Sequence, residues 1–195
     1  MRKSIAVIIV VAALICSFAC AEEAAEFSFR SGISFGMSWE DIMLKEHESV
    51  QVRGDDWESQ WFGNWLIMGT DTKVKVSKYE AYLYYLLADD QMRSAIYDIY
   101  DTPDDITDAF DYITNALSSV YGEAEAAPAS EALGVTDAIN PGFYQESDLR
   151  HTMKWQTAGV LIYQFYYDDH SFVIWYLDPN FDMSEVNGGF NTDGL

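Results

Sequence analysis

Two stretches of the chain alternate apolar with polar or phenolic residues, and a pair of aspartates interrupts each of them. The first, "YEAYLYYLLADDQMRSAIYDIY", spans residues 79–100, and the second, "LIYQFYYDDHSFVIWYLD", spans residues 161–178. β-Branched and aromatic residues with a period of two are typical of strands, and aspartate is common in tight turns. The pattern predicts two antiparallel hairpins that turn at Asp89–Asp90 and Asp168–Asp169, repeated at an offset of 168 − 89 = 79 residues.

The alternation also assigns side chains to the two faces of each hairpin, provided that the aspartate pair alone forms the turn. Directly opposed residues then sum to 89 + 90 = 179 in the first hairpin and to 168 + 169 = 337 in the second. One face is predicted to be aliphatic and to lie under helices, whereas the other carries tyrosines, which often anchor interfaces together with arginine. The predicted binding residues on that second face are Tyr82, Tyr84, Arg93, Tyr97, Tyr163, Tyr167 and Tyr176.

Two segments have the helical period, and each precedes one of the hairpins. Ser38 and Asp41 are placed to cap the start of "SWEDIMLKEHE". In "ITDAFDYITNALSSVYG" apolar residues recur every three to four positions until Gly122 ends the pattern. The predicted fold class is therefore α+β, with two helix-plus-antiparallel-sheet units and the helices packed on one sheet face.

The N-terminal residues have the pattern of a secretory signal peptide. Arg2 and Lys3 precede an apolar run, and Ala19-Cys20-Ala21 then offers small residues for cleavage after residue 21, so that residues 1–21 are predicted to be the signal. The protein is expected to be secreted or located at the cell surface. Its predicted links to a membrane are this segment or, as the alternative to cleavage after residue 21, a lipid on Cys20.

The rest of the chain is predicted to be one domain with an insertion and a tail. Residues 22–180 form the α+β domain, and residues 181–195, which end in "NGGFNTDGL", form a flexible tail. The composition of residues 123–148 shifts to Ala, Glu, Pro and Gly without a sustained period. Because connections inside a compact domain are usually shorter, this insertion is expected to be a flap with a function or a mobile segment.

The charge excludes one class of partner. The chain has 32 acidic and 11 basic residues, a formal net charge of −21, whereas contacts with phosphates require a basic surface. Nucleic acid is therefore not expected as a partner. No cofactor is predicted, and His151 and His170 beside the acidic turn lack the tight ligand spacing of a metal site.

Catalysis is the weaker of two functional predictions. No nucleophile elbow or phosphate-binding glycine loop is present in the sequence. A secreted hydrolase that acts on glycan through paired carboxylates is the alternative, since acidic residues are abundant. Trp57, Trp61 and Trp65 are spaced by four residues, and on a helix they would form one stripe for core packing or for sugar stacking.

Several motifs resemble a family of proteins. "FSFRSGISFGMSWEDI", "VSKYEAYLYYLLADDQMRSAIYDIY", "ITDAFDYITNALSSVYG" and the final "NTDGL" resemble uncharacterised small exported proteins of Gram-positive, gut-type bacteria. The helix-plus-sheet repeat is similar in topology to the β-lactamase inhibitor protein and to outer-membrane assembly lipoproteins. The resemblance to the inhibitor implies a sheet face that grips a partner. The leading prediction is an exported non-catalytic binding or inhibitor-like module, whose partner is a protein or glycan at the cell surface or outside the cell.

Overall fold

The computed structural model describes residues 27–48, 57–62, 64–70, 72–99, 106–139, 145–146, 149–166 and 171–182. The predicted signal peptide, the Asp168–Asp169 pair and most of the predicted tail lie outside these residues. Phe181, at the start of that tail, contacts Trp65 with a ring-centroid distance of 5.7 Å.

The described part of the chain contains nine strands, three α-helices and a short 3-10 helix at Arg30–Gly32. The α-helices are α1 (Trp39–Glu48), α2 (Ile106–Tyr121) and α3 (Ala129–Ile139). The strands are β1 (Trp57–Phe62), β2 (Trp65–Thr70), β3 (Val74–Val76), β4 (Tyr79–Ala88), β5 (Gln91–Ile99), β6 (Glu125–Ala126), β7 (Arg150–Gln156), β8 (Leu161–Tyr166) and β9 (Phe172–Leu177). All strand pairs are antiparallel, so the predicted α+β class with antiparallel strands is confirmed.

The sheet joins the two predicted units through their last strands. The strand order is β1-β2-β4-β5-β9-β8-β7-β6, with β3 paired to β4 at one side. Each unit combines a helix with three neighbouring strands of the sheet, α1 with β2, β4 and β5 and α2 with β7, β8 and β9. Since β5 pairs with β9, the two units form one continuous sheet, with β1 and the short β6 at its ends.

The two predicted helices form where the sequence indicates. The backbone N–H of Asp41 donates to Ser38 Oγ (3.2 Å), while the Ser38 hydroxyl donates to the Asp41 carboxylate (2.9 Å), so the predicted cap of α1 is confirmed. Gly122 follows α2 with a φ of +93° and donates to the Ser118 carbonyl (3.1 Å).

Both predicted helices cover the same face of the sheet, here called the helix-side face. Ile42 of α1 and Phe110, Ile113 and Leu117 of α2 pack there against a core that includes Leu83 and Ile162. A second cluster, which includes Trp65, Leu86, Phe165 and Trp175, lies on the opposite face. Each face of the sheet therefore carries a buried cluster.

The turn at Asp89–Asp90 is confirmed, but the face predicted for Tyr97 is wrong. Both aspartates have positive φ (52° and 57°), as a two-residue hairpin turn requires. The opposed pairs sum to 179 only near the turn, because a bulge at Arg93 shifts the register and Leu86 pairs with Ser94. Since successive side chains alternate between faces, this one-residue shift moves Tyr97 to the buried core of the helix-side face.

The second hairpin has a longer connection than predicted, and the face predicted for Tyr176 is wrong for the same reason. Tyr166 pairs with Phe172, so the opposed residues sum to 166 + 172 = 338 and not to 337. The side chains of β9 therefore lie on the faces opposite to those predicted. Tyr176 is buried in the helix-side core, and Trp175 occupies the opposite face.

The tryptophan stripe does not form, because β1 and β2 make a hairpin in which Phe62 pairs with Trp65. Trp65 is 1% exposed, whereas Trp61 is 67% exposed. The Gly63-Asn64 dipeptide between the strands is a hairpin signal that the helical interpretation underweighted.

The insertion at 123–148 contains a folded element. Strand β6 pairs with β7, and α3 packs on the opposite face through the buried Ala132 and the partly buried Leu133 and Val135. α3 is therefore the third layer of the fold over part of the sheet.

Candidate functional site

The opposite face of the sheet divides into a covered half and an open half. The covered half comprises the residues of β8 and β9 that lie beneath α3, among them Tyr163, Phe165 and Trp175. The open half is formed by β1, residues 67–69 of β2 and residues 82–84 of β4. Tyr82, Tyr84 and Tyr163 are predicted binding residues that lie on this face. Tyr163 is buried in the covered half, whereas Tyr82 and Tyr84 are partly exposed in the open half.

Tyr163 belongs to the core of the covered half. It is 2% exposed, and its hydroxyl donates to Glu131 Oε1 of α3 (2.7 Å). Lys154 Nζ donates to the same oxygen (2.9 Å), so one carboxylate fastens α3 to β7 and β8. Burial and the neighbouring Glu131 raise the pKa of Tyr163, and the two donors lower the pKa of Glu131. Tyr163 is therefore unavailable to a partner unless α3 moves away.

The open half contains a pocket of about 380 Å³ beside the end strand of the sheet. Tyr82 and Tyr84 are partly exposed and form its aromatic part. The residues of the same face that complete it are Glu58, Gln60, Ile67 and Gly69. An open pocket with two aromatic rings and a few convergent polar groups has the composition of a binding site.

Gly69 determines how Tyr84 lies in this pocket. A Cβ at Gly69 would be only 2.8 Å from two atoms of the Tyr84 ring. The tyrosine therefore lies against the glycine backbone of the neighbouring strand, in space that any other residue would fill. This contact supports one side of the ring while Tyr84 still lines the pocket.

The register places a carboxylate in the same row as this ring. Glu58 of β1 pairs with Gly69 of β2, and Gly69 pairs with Tyr84 of β4. Because paired residues share a face, Glu58 lies beside Gly69 on that face, and the Tyr84 ring fills the position that a Gly69 side chain would take. Tyr82 is the next residue of β4 on the same face, two positions before Tyr84. Lys73 Nζ lies 5.5 Å from the centroid of the Tyr82 ring, which is a cation–π contact within the chain.

The remaining predicted binding residues are not brought to the open half. Arg93 donates to Asp178 (3.2 Å) and to Gln91 (2.5 Å), and its guanidinium lies 4.6 Å from the centroid of the Phe181 ring. Tyr97 and Tyr176 are 7% exposed beneath the helices. Tyr167 lies outside the described residues. The open half therefore retains Tyr82 and Tyr84 and adds residues of β1 and β2 that the sequence interpretation missed.

The helix-side core holds a buried ionic cluster that the sequence interpretation also missed. Glu46 of α1 is 0% exposed, accepts a hydrogen bond from the Tyr85 hydroxyl (2.5 Å) and forms an ion pair with Arg30 Nε (3.2 Å). Burial raises the pKa of Tyr85, Tyr97 and Tyr176, so these phenols are neutral at ordinary pH. Glu46 falls one turn after the buried Ile42, which is the only sequence signal of its position. The cluster links Arg30 and α1 to the sheet.

The described residues contain no group of three His, Cys, Asp or Glu side chains arranged to hold a metal ion. His151, one of the two histidines predicted to lie beside the acidic turn, is exposed and contacts the Tyr166 ring edge-on (5.4 Å), while His170 lies outside the described part. Among the helices that the structure describes, none has the length and apolar character needed to cross a membrane.

Comparison of the chain with protein-family models, with curated proteins and with solved structures finds no match. The resemblance to small exported bacterial proteins therefore stays a prediction.

Proposed function

We propose that the protein is an exported, non-catalytic binding module that uses the open half of the sheet. The observation that carries this proposal is the pocket of about 380 Å³ lined by Tyr82 and Tyr84, on the part of the face that α3 does not cover. The partner is a protein or a glycan outside the cell. Export rests on the N-terminal signal pattern alone.

The open half is suited to binding because its aromatic groups are held by strands. Tyr84 lies against Gly69, and both residues belong to paired strands in the sheet. A surface held by paired strands loses little conformational entropy when a partner docks, so more of the contact energy becomes affinity. Tyrosine contributes apolar area together with a hydroxyl that tolerates water, which suits a surface that is wet when free.

The glycan hydrolase remains a prediction without an observation that favours it. Glycoside hydrolysis uses two carboxyl groups that flank one bond, about 5–10 Å apart. Among the described residues that line the pocket, Glu58 is the one carboxylate. Glu46 is a buried carboxylate, but it lies in the helix-side core, where it accepts a hydrogen bond from Tyr85 and forms an ion pair with Arg30.

Chemical-shift mapping with defined probes tests this function. The purified, isotope-labelled chain is titrated with a panel of short peptides and oligosaccharides. We expect at least one probe to shift amides of β1, β2 and Tyr82–Tyr84 together, and a Tyr82→Ala/Tyr84→Ala double variant to lose that response. Tyr112→Ala is the matched control, since Tyr112 is 44% exposed on α2, away from this face.

Two results would refute the proposal. One is a response that maps outside the open half for every probe. The other is a response that the double variant retains in full.

A further inference from the structure

Resting on the proposed function, we propose that the open half binds an extended basic segment of a partner protein. The segment adds to the sheet beside β1 and places a lysine or arginine side chain over the Tyr84 ring, next to Glu58. Three independent features of the described residues lead to this class of ligand.

The first feature is the combination of an aromatic face with a carboxylate. Glu58, Gly69 and Tyr84 form one row across three paired strands, and the Tyr84 ring lies over Gly69, the residue that pairs with Glu58. A cation placed over the Tyr84 ring on the side of Glu58 meets the negative face of the ring and a carboxylate at once. Lys73 already places its ammonium over the adjacent Tyr82, so this surface accommodates a cation within the chain itself.

The second feature is the end strand. Among the described residues, no strand pairs with the outer edge of β1, and Glu58, Ser59, Gln60 and Trp61 are exposed in succession. An edge of this kind offers backbone groups for strand addition by an extended peptide. Alternate side chains of an added strand point to opposite faces. One set would lie over Glu58 and the pocket, and the other would lie near Trp61, which is 67% exposed.

The third feature is charge. The chain has a net charge of −21, which attracts a basic segment and accelerates its encounter with the surface. The same charge disfavours a second copy of this chain as the occupant. Each copy has 32 acidic and only 11 basic residues, so two copies repel each other. A neutral glycan would gain nothing from this field.

Lys73 gives the proposal a distinctive consequence. Its ammonium occupies the Tyr82 ring and repels an incoming cation, so removal of this charge should strengthen the binding of a basic peptide. For a ligand that lysine contacts favourably, such as an acidic peptide or a glycan held by hydrogen bonds, the same change would weaken binding.

The test uses three peptides of six residues, the length of β1. The first alternates lysine with threonine, the second carries glutamine in place of lysine, and the third is the lysine peptide with N-methyl groups on alternate backbone nitrogens, which block strand pairing. A soluble oligosaccharide is the fourth probe. Dissociation constants are measured by calorimetry at two salt concentrations and mapped by amide shifts.

We expect the lysine peptide to bind at the open half and the glutamine and N-methyl peptides to bind about tenfold more weakly. Tyr84→Ala and Gly69→Ala should each lower the affinity for the lysine peptide about tenfold. Gly69→Ala acts by displacing the Tyr84 ring, which lies where the new Cβ would stand. Lys73→Gln should tighten binding of the lysine peptide about threefold. Glu58→Gln should weaken it about fivefold, whereas the control Glu123→Gln, which removes the same charge at an exposed site beyond α2, should change it less than about twofold.

The outcomes separate this inference from the function on which it rests. One outcome is that the glutamine peptide or the oligosaccharide binds as tightly as the lysine peptide and depends equally on Tyr84. That result would overturn the preference for a basic segment but leave the protein as a binding module. Equal binding of the N-methyl peptide would overturn strand addition. If Glu58→Gln and Glu123→Gln reduce the affinity for the lysine peptide equally, the peptide binds through the net charge of the chain and not at Glu58. That result also overturns the inference. If every probe ignores the Tyr84 substitution, both proposals fail.

Discussion

Tyr84 and Tyr163 occupy corresponding positions in the two halves of the molecule, 163 − 84 = 79 residues apart, and both lie on the same face of one sheet. Tyr163 is sealed under α3 with its hydroxyl on Glu131, whereas Tyr84 remains partly exposed beside a pocket. The difference comes from the element that follows α2. In the second unit the chain adds α3 as a cover, and among the described residues no helix covers the corresponding part of the first.

The comparison shows that a repeat of secondary structure need not repeat a surface. The neighbours of the two tyrosines on adjacent strands also differ. Tyr84 pairs with Gly69, which has no side chain, while Tyr163 pairs with Lys154, which bridges to Glu131. A tyrosine on a sheet can therefore be a core residue or a surface contact, depending on a single flanking element.

The covered half should tolerate truncation least. Phe165 is 0% exposed in this half, so Phe165→Ala should lower the free energy of unfolding by about 3–5 kcal/mol. Ile67→Ala in the open half removes a partly exposed side chain and should cost about 1 kcal/mol. Urea unfolding of the two variants measures both values. Similar losses would mean that the halves are packed alike.

Alkaline pH should reveal the buried phenols. The folded pKa of Tyr163 is raised, so the unfolded chain loses that proton above its ordinary pKa of about 10 while the folded chain keeps it. The contribution of Tyr163 to the free energy of unfolding is therefore fully present below about pH 10. Above that pH it is lost at up to about 1.4 kcal/mol per pH unit. Urea unfolding at pH 9, 10 and 11 should show a shallower fall for Tyr163→Phe than for the native chain. An unchanged slope would argue that this phenol is open to water.

The Glu131 anchor should have a smaller effect with the opposite pH dependence. Hydrogen bonds from Tyr163 and Lys154 lower the pKa of Glu131, so its contribution is present above the ordinary carboxyl pKa and is lost as the pH falls through the lower folded value. Because the group is exposed, Glu131→Gln should cost only about 1 kcal/mol at pH 7. Thermal unfolding at pH 7 and pH 3 compares it with Glu123→Gln. A cost for Glu131→Gln that persists unchanged at pH 3 would contradict the anchor.

Sequence patterning predicted the elements of this fold better than their faces. Period and capping located α1 and α2, and the aspartate pair located the first turn. Face assignment depends on register, and one residue reverses it. The bulge at Arg93 and the longer connection before Phe172 each add such a shift, and neither has a local signature.

The second hairpin also lacked the contrast that fixes a face. All six residues of β9 are buried, because α2 covers one side of this region and α3 the other. A strand that is buried on both sides has no polar face to mark its orientation. α3 itself was missed because its apolar stripe is short and lies in a segment rich in Ala and Pro.

For the candidate site, the sequence indicated Tyr82 and Tyr84 but not their surroundings. Glu58 and Gly69 join them only through the register of β1, β2 and β4, in which Glu58 pairs with Gly69 and Gly69 pairs with Tyr84. A glycine inside a strand often marks the close approach of another group, so Gly69 was the one available signal.

The most direct test of this account compares Tyr84→Ala with Tyr163→Ala by their free energies of unfolding in urea at pH 7. We expect Tyr163→Ala to cost about 3 kcal/mol and Tyr84→Ala about 1 kcal/mol or less, because only the former opens a cavity under α3. Equal costs, or a larger cost for Tyr84→Ala, would show that the open half is core and not a surface kept for a partner.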